Sequence, residues 1–152
     1  MKTGAKPLAL TGANTYNGDT YVAEGQLVIP ADAAATALPP DSAVVVAPGA
    51  VLVMANGTAA GIGALAIDMT KTYGTITGLT PARGGTLHLT NVGNGSLLGL
   101  ELPITLSGNA RRRGFSSWKL YVDGQEVEGL VPNVSDGKLV LGLPYGAMLI
   151  FR

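Results

Sequence analysis

Few residues in this chain have chemistry to offer. His88 is the one histidine, the acidic side chains number ten, and there is no cysteine. Without thiols there is no disulfide, thiolate metal site or cysteine nucleophile. His88 sits in TLHLT, where alternation sets Leu87 and Leu89 on the opposite face, so an exposed histidine on a polar face is expected. As a metal ligand it would need partners, and no second imidazole or thiolate exists to supply them. Ser96 or Ser107 would formally complete a Ser-His-Asp set, but neither stands in nucleophile-elbow spacing, so no triad is expected. Asp19, Glu24, Asp32, Asp41, Asp68 and Glu101 are too scattered to form the carboxylate pair of a glycosidase. Glu126 and Glu128, beside an Asp-Gly turn, read as solvated charges.

A binding surface remains. Arg111, Arg112 and Arg113 form the only basic run, with Phe115 and Trp118 close behind. Guanidinium groups beside aromatic faces are what an acidic or ring-stacked sugar requires, so these five residues are the candidate glycan contacts. The plainer reading makes the arginines a polar loop and Trp118 a core residue. No catalytic, metal or cofactor-binding residue is expected.

Such residues need a frame. The 152 residues are 47% hydrophobic and only 13% charged, with 22 glycines, which is the composition of a folded domain rather than a disordered or coiled-coil chain. Ten basic side chains balance ten acidic ones, so no net field draws the protein to nucleic acid or an anionic membrane. The first residues, MKTGAKPLALTGA, lack the apolar core of a signal peptide and read as a methionine set before a mid-protein segment. The longest apolar stretch, AVVVAPGAVLVMA, is broken by Pro48 and Gly49 and is too short to span a bilayer.

A pattern of glycine, small or polar residue, aliphatic, any residue, aliphatic recurs at Gly25, Gly49, Gly63, Gly85, Gly137 and Gly146. Each copy reads as a short strand entered from a bend. VAEGQLVI, Val22–Ile29, aligns with VAPGAVLV, Val46–Val53, at an offset of 24, close to the length of one coil of a parallel β-helix. Stacking at that offset sets Leu27 over Val51, with Val22, Leu27, Ile29, Val46, Val51 and Val53 as inward rungs. PADAAATALPPDS, between the two, is bracketed by prolines and reads as a bulging loop. From about Leu102 the texture changes. Asp123-Gly124 between alternating runs predicts an antiparallel hairpin, and strands are expected over 138–143 and 147–151.

LTGANTYNGDTYVAEGQL, Leu10–Leu27, resembles the autotransporter-associated β-strand repeat of large bacterial surface proteins. The matching positions are Leu10, Gly12, Asn14, Thr15, Tyr16, Gly18, Thr20, Val22, Gly25 and Leu27. LPPDSAVVVAPGAVLVMANG, Leu38–Gly57, resembles the usual continuation. The resemblance implies a right-handed parallel β-helix passenger, exported to the cell surface or secreted, without catalytic activity of its own. In physical terms, glycines at 12, 18 and 25 suit positive-φ corners, Asn14 and Asn17 suit corner conformations or ladder hydrogen bonds, and Tyr16 suits covering a corner.

The expectation is therefore an all-β chain. Residues 1–101 form right-handed parallel β-helix coils and residues 102–152 a small antiparallel cap, with a β-sandwich as the alternative. Its expected role is that of a non-catalytic stalk or adhesin segment of an exported bacterial protein, extracellular or on the cell surface. The other reading is a carbohydrate-binding β-sandwich module. Expected partners are neighbouring repeats of a parent chain, surface glycans, and other copies through exposed strand edges, with no nucleic acid and no membrane insertion.

Overall fold

The computed structural model describes residues 1–110 and 113–144. Among these there is no α-helix, and thirteen strands form two sheets. In chain order they are β1 (Leu8–Ala9), β2 (Thr20–Val22), β3 (Gln26–Ile29), β4 (Ala43–Val46), β5 (Val51–Met54), β6 (Ile62–Asp68) and β7 (Thr75–Thr77). There follow β8 (Pro81–Thr90), β9 (Glu101–Ser107), β10 (Lys119–Val122), β11 (Gln125–Val127), β12 (Val131–Ser135) and β13 (Lys138–Gly142). A 3-10 turn at Arg113–Ser117 precedes β10. The expected strand over 147–151 lies outside the described residues.

From β1 to β10 the chain passes from one sheet to the other at every strand. Even-numbered strands line up as β2, β4, β6, β8, β10, and odd-numbered ones as β1, β3, β5, β7, β9. Every neighbouring pair within these two runs is parallel. Alternation of side chains then sends one residue in two inward from each strand, and successive strands set those residues in columns. In the odd-numbered sheet one column reads Leu8, Leu27, Leu52, Ile76, Leu106. In the even-numbered sheet it reads Thr20, Val44, Leu65, Leu87, Leu120. Leu52, Ile76, Leu87 and Leu120 are completely buried, and each contributes roughly 1.5–3 kcal/mol over an exposed position.

Val22 opposes Val46, as the 24-residue offset requires. Leu27, however, opposes Leu52, and Val51 opposes Gln26. The reason is local: the turn Ala47–Ala50 is one residue longer than Ala23–Gly25, and a one-residue slip exchanges the faces of a strand. Leu52 and Met54 are therefore the buried rungs, while Val51 and Val53, expected inside, are only partly buried and lie on the outer side.

The glycine pattern also divides. Gly25, Gly49 and Gly137 are turn glycines with positive φ, but Gly12 and Gly18, expected at such corners, do not have it. Gly63 and Gly85 lie inside β6 and β8 for another reason. A Cβ on Gly63 would stand 2.0 Å from the Pro40 carbonyl oxygen, and one on Gly85 would stand 2.4 Å from the Trp118 indole. Close approach of the Pro40 backbone and the Trp118 ring, rather than turn geometry, requires them.

After β10 the direction changes. Asp123 and Gly124 both take positive φ and close the expected hairpin of β10 with β11. Asp136 and Gly137 do the same for β12 and β13, and β13 then joins β9 antiparallel. A Lys138–Glu101 ion pair bridges that last junction. The expected division between residues 101 and 102 falls inside β9, and one cluster of buried side chains runs across it from Val22 to Leu141. The Pro30–Ser42 segment is a loop, as expected, with Ala33, Ala37 and Leu38 buried beneath it.

Candidate functional site

The aromatic pair proposed for glycan contact belongs to the core. Phe115 is fully buried and Trp118 is 4% exposed, with the rings edge to face at 4.8 Å. The Trp118 indole N–H donates to the Ala82 carbonyl at 2.7 Å, and its six-membered ring lies over Gly85. Such a buried, hydrogen-bonded indole has no free face for a sugar, so Phe115 and Trp118 are corrected from binding surface to packing. Arg111 and Arg112 lie outside the described residues, and Arg113 opens the 3-10 turn.

His88 is exposed on the outer face of the even-numbered sheet, as the alternation requires. It stacks on Tyr121, its partner on β10, with centroids 4.8 Å apart and planes within 8°. The two serines considered with it are elsewhere. Ser107 lies in the other sheet, its hydroxyl 2.8 Å from that of Thr77, and the Ser96 hydroxyl faces the Leu98 carbonyl at 3.5 Å. Of the carboxylates, Asp19 accepts from the Ala43 amide, as the stacking offset implies, and Glu126 pairs with Lys119 at 3.0 Å. That pair lifts the Lys119 ammonium above its ordinary range, chiefly through its hydrogen bond to Glu126. No group of three metal-ligating side chains occurs among the described residues.

The most organised polar feature is a corner ladder on three successive strands. Asp68 ends β6, Asn91 follows β8, and Asp123 follows β10. Asn91 donates its side-chain amide to Asp68 at 2.9 Å and its backbone N–H to Asp123 at 2.9 Å. Thr70 donates both its amide (3.0 Å) and its hydroxyl (2.7 Å) to the same Asp68 oxygen. These donors, Asn91 foremost, hold the Asp68 carboxyl down from 3.8 to about 2. A carboxyl depressed on folding stabilises the fold above its unfolded pKa, and that contribution disappears as pH falls through the folded value. The thermal midpoint of the native chain should therefore drop between about pH 4 and pH 2 more steeply than that of Asp68→Asn. Parallel curves for the two proteins would show that Asp68 is not the titrating group.

At the opposite end from the hairpins, the two sheets open into a pocket of about 430 Å³. Leu8, Leu10, Tyr16, Thr20, Tyr21 and Leu27 contribute to its lining. Lys2 adds a single parallel bridge beside Val22, and its ammonium donates to the carbonyls of Thr3, Gly4 and Glu24. Tyr16 bonds Thr20 hydroxyl to hydroxyl at 2.6 Å, and Asn14, without positive φ, donates to the Ala37 carbonyl at 2.8 Å, the second of the two roles expected of it. Leu8, Tyr16 and Tyr21 remain 48%, 38% and 39% exposed.

No family model, curated protein or solved structure matches this chain. Its function must be read from the chain itself. Sequence reasoning missed Tyr121, the Asp68–Asn91–Asp123 ladder and the open mouth. The ladder left a trace, since Asn91 and Asp123 are residue types that tolerate positive φ, and both directly follow strands. The mouth left none, because Leu8 in KPLAL looks like any inward aliphatic residue.

Proposed function

We propose that this chain is a non-catalytic structural segment, a right-handed parallel β-helical stalk closed at its C-terminal side by antiparallel hairpins. The observation that carries this reading is the strict exchange between sheets from β1 to β10 with parallel neighbours in each. A chain that winds this way advances by one coil per pair of strands, and the columns Leu8 to Leu106 and Thr20 to Leu120 bind each coil to the next. Parallel crossovers strongly favour the right hand. The repeat-like residues from Leu10 to Leu27 support placement in an exported bacterial surface protein, as stalk or adhesin segment. Asn14, Asp19, Asn91 and Trp118 spend their polar groups on the next or preceding turn of the chain, which suits a part whose work is to hold shape.

A glycan array combined with a panel of soluble polysaccharides tests this reading. The expected result is no retained glycan and no depolymerisation by the folded chain. Saturable binding would favour a carbohydrate-binding β-sandwich, and turnover of any polysaccharide would sink the non-catalytic reading.

A further inference from the structure

Three of the seven asparagines stand directly before a glycine: Asn17, Asn56 and Asn94. That pairing has a chemistry of its own. The side-chain carbonyl carbon of an asparagine is open to attack by the backbone nitrogen of the next residue, and a glycine there has no side chain to obstruct the approach. The attack needs backbone rotation at the asparagine, so the fold decides which of the three reacts.

Two of them are held. Asn56-Gly57 forms the centre of a tight turn, closed by the Thr58 amide donating to the Ala55 carbonyl at 3.2 Å, with Gly57 at a φ of 84°. The Ala55 amide donates in turn to the Ile29 carbonyl at 2.9 Å. Asn17-Gly18 is fixed on both sides, by the Tyr16 hydroxyl on Thr20 and by the Asp19 carboxylate on the Ala43 amide. Asn94-Gly95 is different. Val92 and Leu97 pack against the core, and the four residues between them, Gly93, Asn94, Gly95 and Ser96, are all exposed. Among the described residues, neither the Asn94 amide group nor the Gly95 N–H is engaged in a hydrogen bond. A glycine on each side frees the backbone about Asn94, and a Cβ at either position would meet nothing within 4 Å.

We propose that Asn94 is a site of spontaneous covalent modification, at which the folded chain converts its own asparagine to aspartate and isoaspartate. The Gly95 nitrogen loses its proton to solvent base and bonds to Asn94 Cγ, while the Cγ–Nδ2 bond breaks and ammonia leaves, closing a five-membered imide. Water then opens the ring. Addition at Cγ restores the main chain with an aspartate, whereas addition at the backbone carbonyl carbon leaves the chain running through Cγ as isoaspartate, longer by a methylene. One water is consumed and one ammonia released, with no change of oxidation state. The β8–β9 loop gains a carboxylate, and a chain of zero net charge becomes negative.

Peptide mapping by mass spectrometry, after incubation of the folded chain in neutral and mildly alkaline buffer, is the test. Conversion at Asn94 should run at least about fivefold faster than at Asn17 or Asn56, the ratio that one net hydrogen bond makes in a rate. It should quicken as pH rises, because the attacking nitrogen must shed its proton. Gly95→Ala should suppress it, and this variant keeps the fold, since the added methyl meets nothing within 4 Å and Gly95 does not have positive φ. In denaturant the three sites should converge, which shows that the fold sets the order. Equal rates at the three sites in the folded chain, conversion led by Asn17 or Asn56, or a Gly95→Ala chain that converts as fast as the parent would each overturn the proposal.

Discussion

Trp118→Ala should lower the unfolding free energy by about 3–5 kcal/mol, the range for removing a large buried aromatic. Three losses combine there. The cavity opens against Phe115, the Ala82 carbonyl loses its indole donor, and the backbone at Gly85 loses the ring that covers it. Denaturant unfolding measures the cost directly. Trp118→Phe should recover part of it, since the edge contact is partly restored but the hydrogen bond to Ala82 is not. A loss below about 1 kcal/mol in the alanine variant would mean that the indole is a surface group, and would return it to the candidate binding residues.

The second large effect is expected from adding a single methyl group. Gly63→Ala sets a Cβ against the backbone of Pro40 at 2.0 Å, and backbone cannot step aside as a flexible side chain can. Overpacking of this kind costs typically 1–3 kcal/mol, and a contact this short points to about 3 kcal/mol or more. Gly85→Ala meets the Trp118 ring at 2.4 Å and the Gly63 carbonyl at 2.6 Å, so it should be damaging too. Gly93→Ala and Gly95→Ala meet nothing within 4 Å and should change stability by no more than about 0.5 kcal/mol. Thermal unfolding of the four variants decides it. Equal effects at Gly63 and Gly93 would mean that β6 and the loop at Pro40 do not approach as closely as described.

Much of the strand content was legible because it is written locally. The Asp123-Gly124 pair names its own hairpin, and alternation placed His88 outside and Leu87 and Leu89 inside. The offset of Val22 to Val46 was legible for the same reason, since both ends of the match lie in similar short runs. Rung assignment failed where it depended on a turn one residue longer, because the pattern GAVLV contains aliphatic residues at both phases and so fits either face. Gly63 and Gly85 carry the pattern of turn glycines because sequence shows a missing Cβ but not the Pro40 and Trp118 atoms that take its place. Asp136-Gly137 carries the same signal as Asp123-Gly124, and its hairpin could have been read as well. The parallel seat of β10 against β8 could not, since the residues between them carry no period that would announce it.

The candidate glycan residues show the limit on the functional side. Aromatic residues beside a basic run are as consistent with a buried corner as with a sugar platform, and only the position of Gly85 beneath the indole separates the two. The open mouth is set by the order in which strands stack, which no short segment records.

One consequence of the unequal ends concerns how firmness is distributed along the molecule. In a column where each coil touches only its neighbours, a coil in the middle opens only if two interfaces break, whereas a terminal one breaks a single interface. The hairpins β10–β11 and β12–β13 remove that weakness on one side, and the mouth keeps it on the other. Among the described residues, amide exchange should therefore be fastest at Lys2 and β1, which are held from one side, and slowest at β6 and β8, which are held from both.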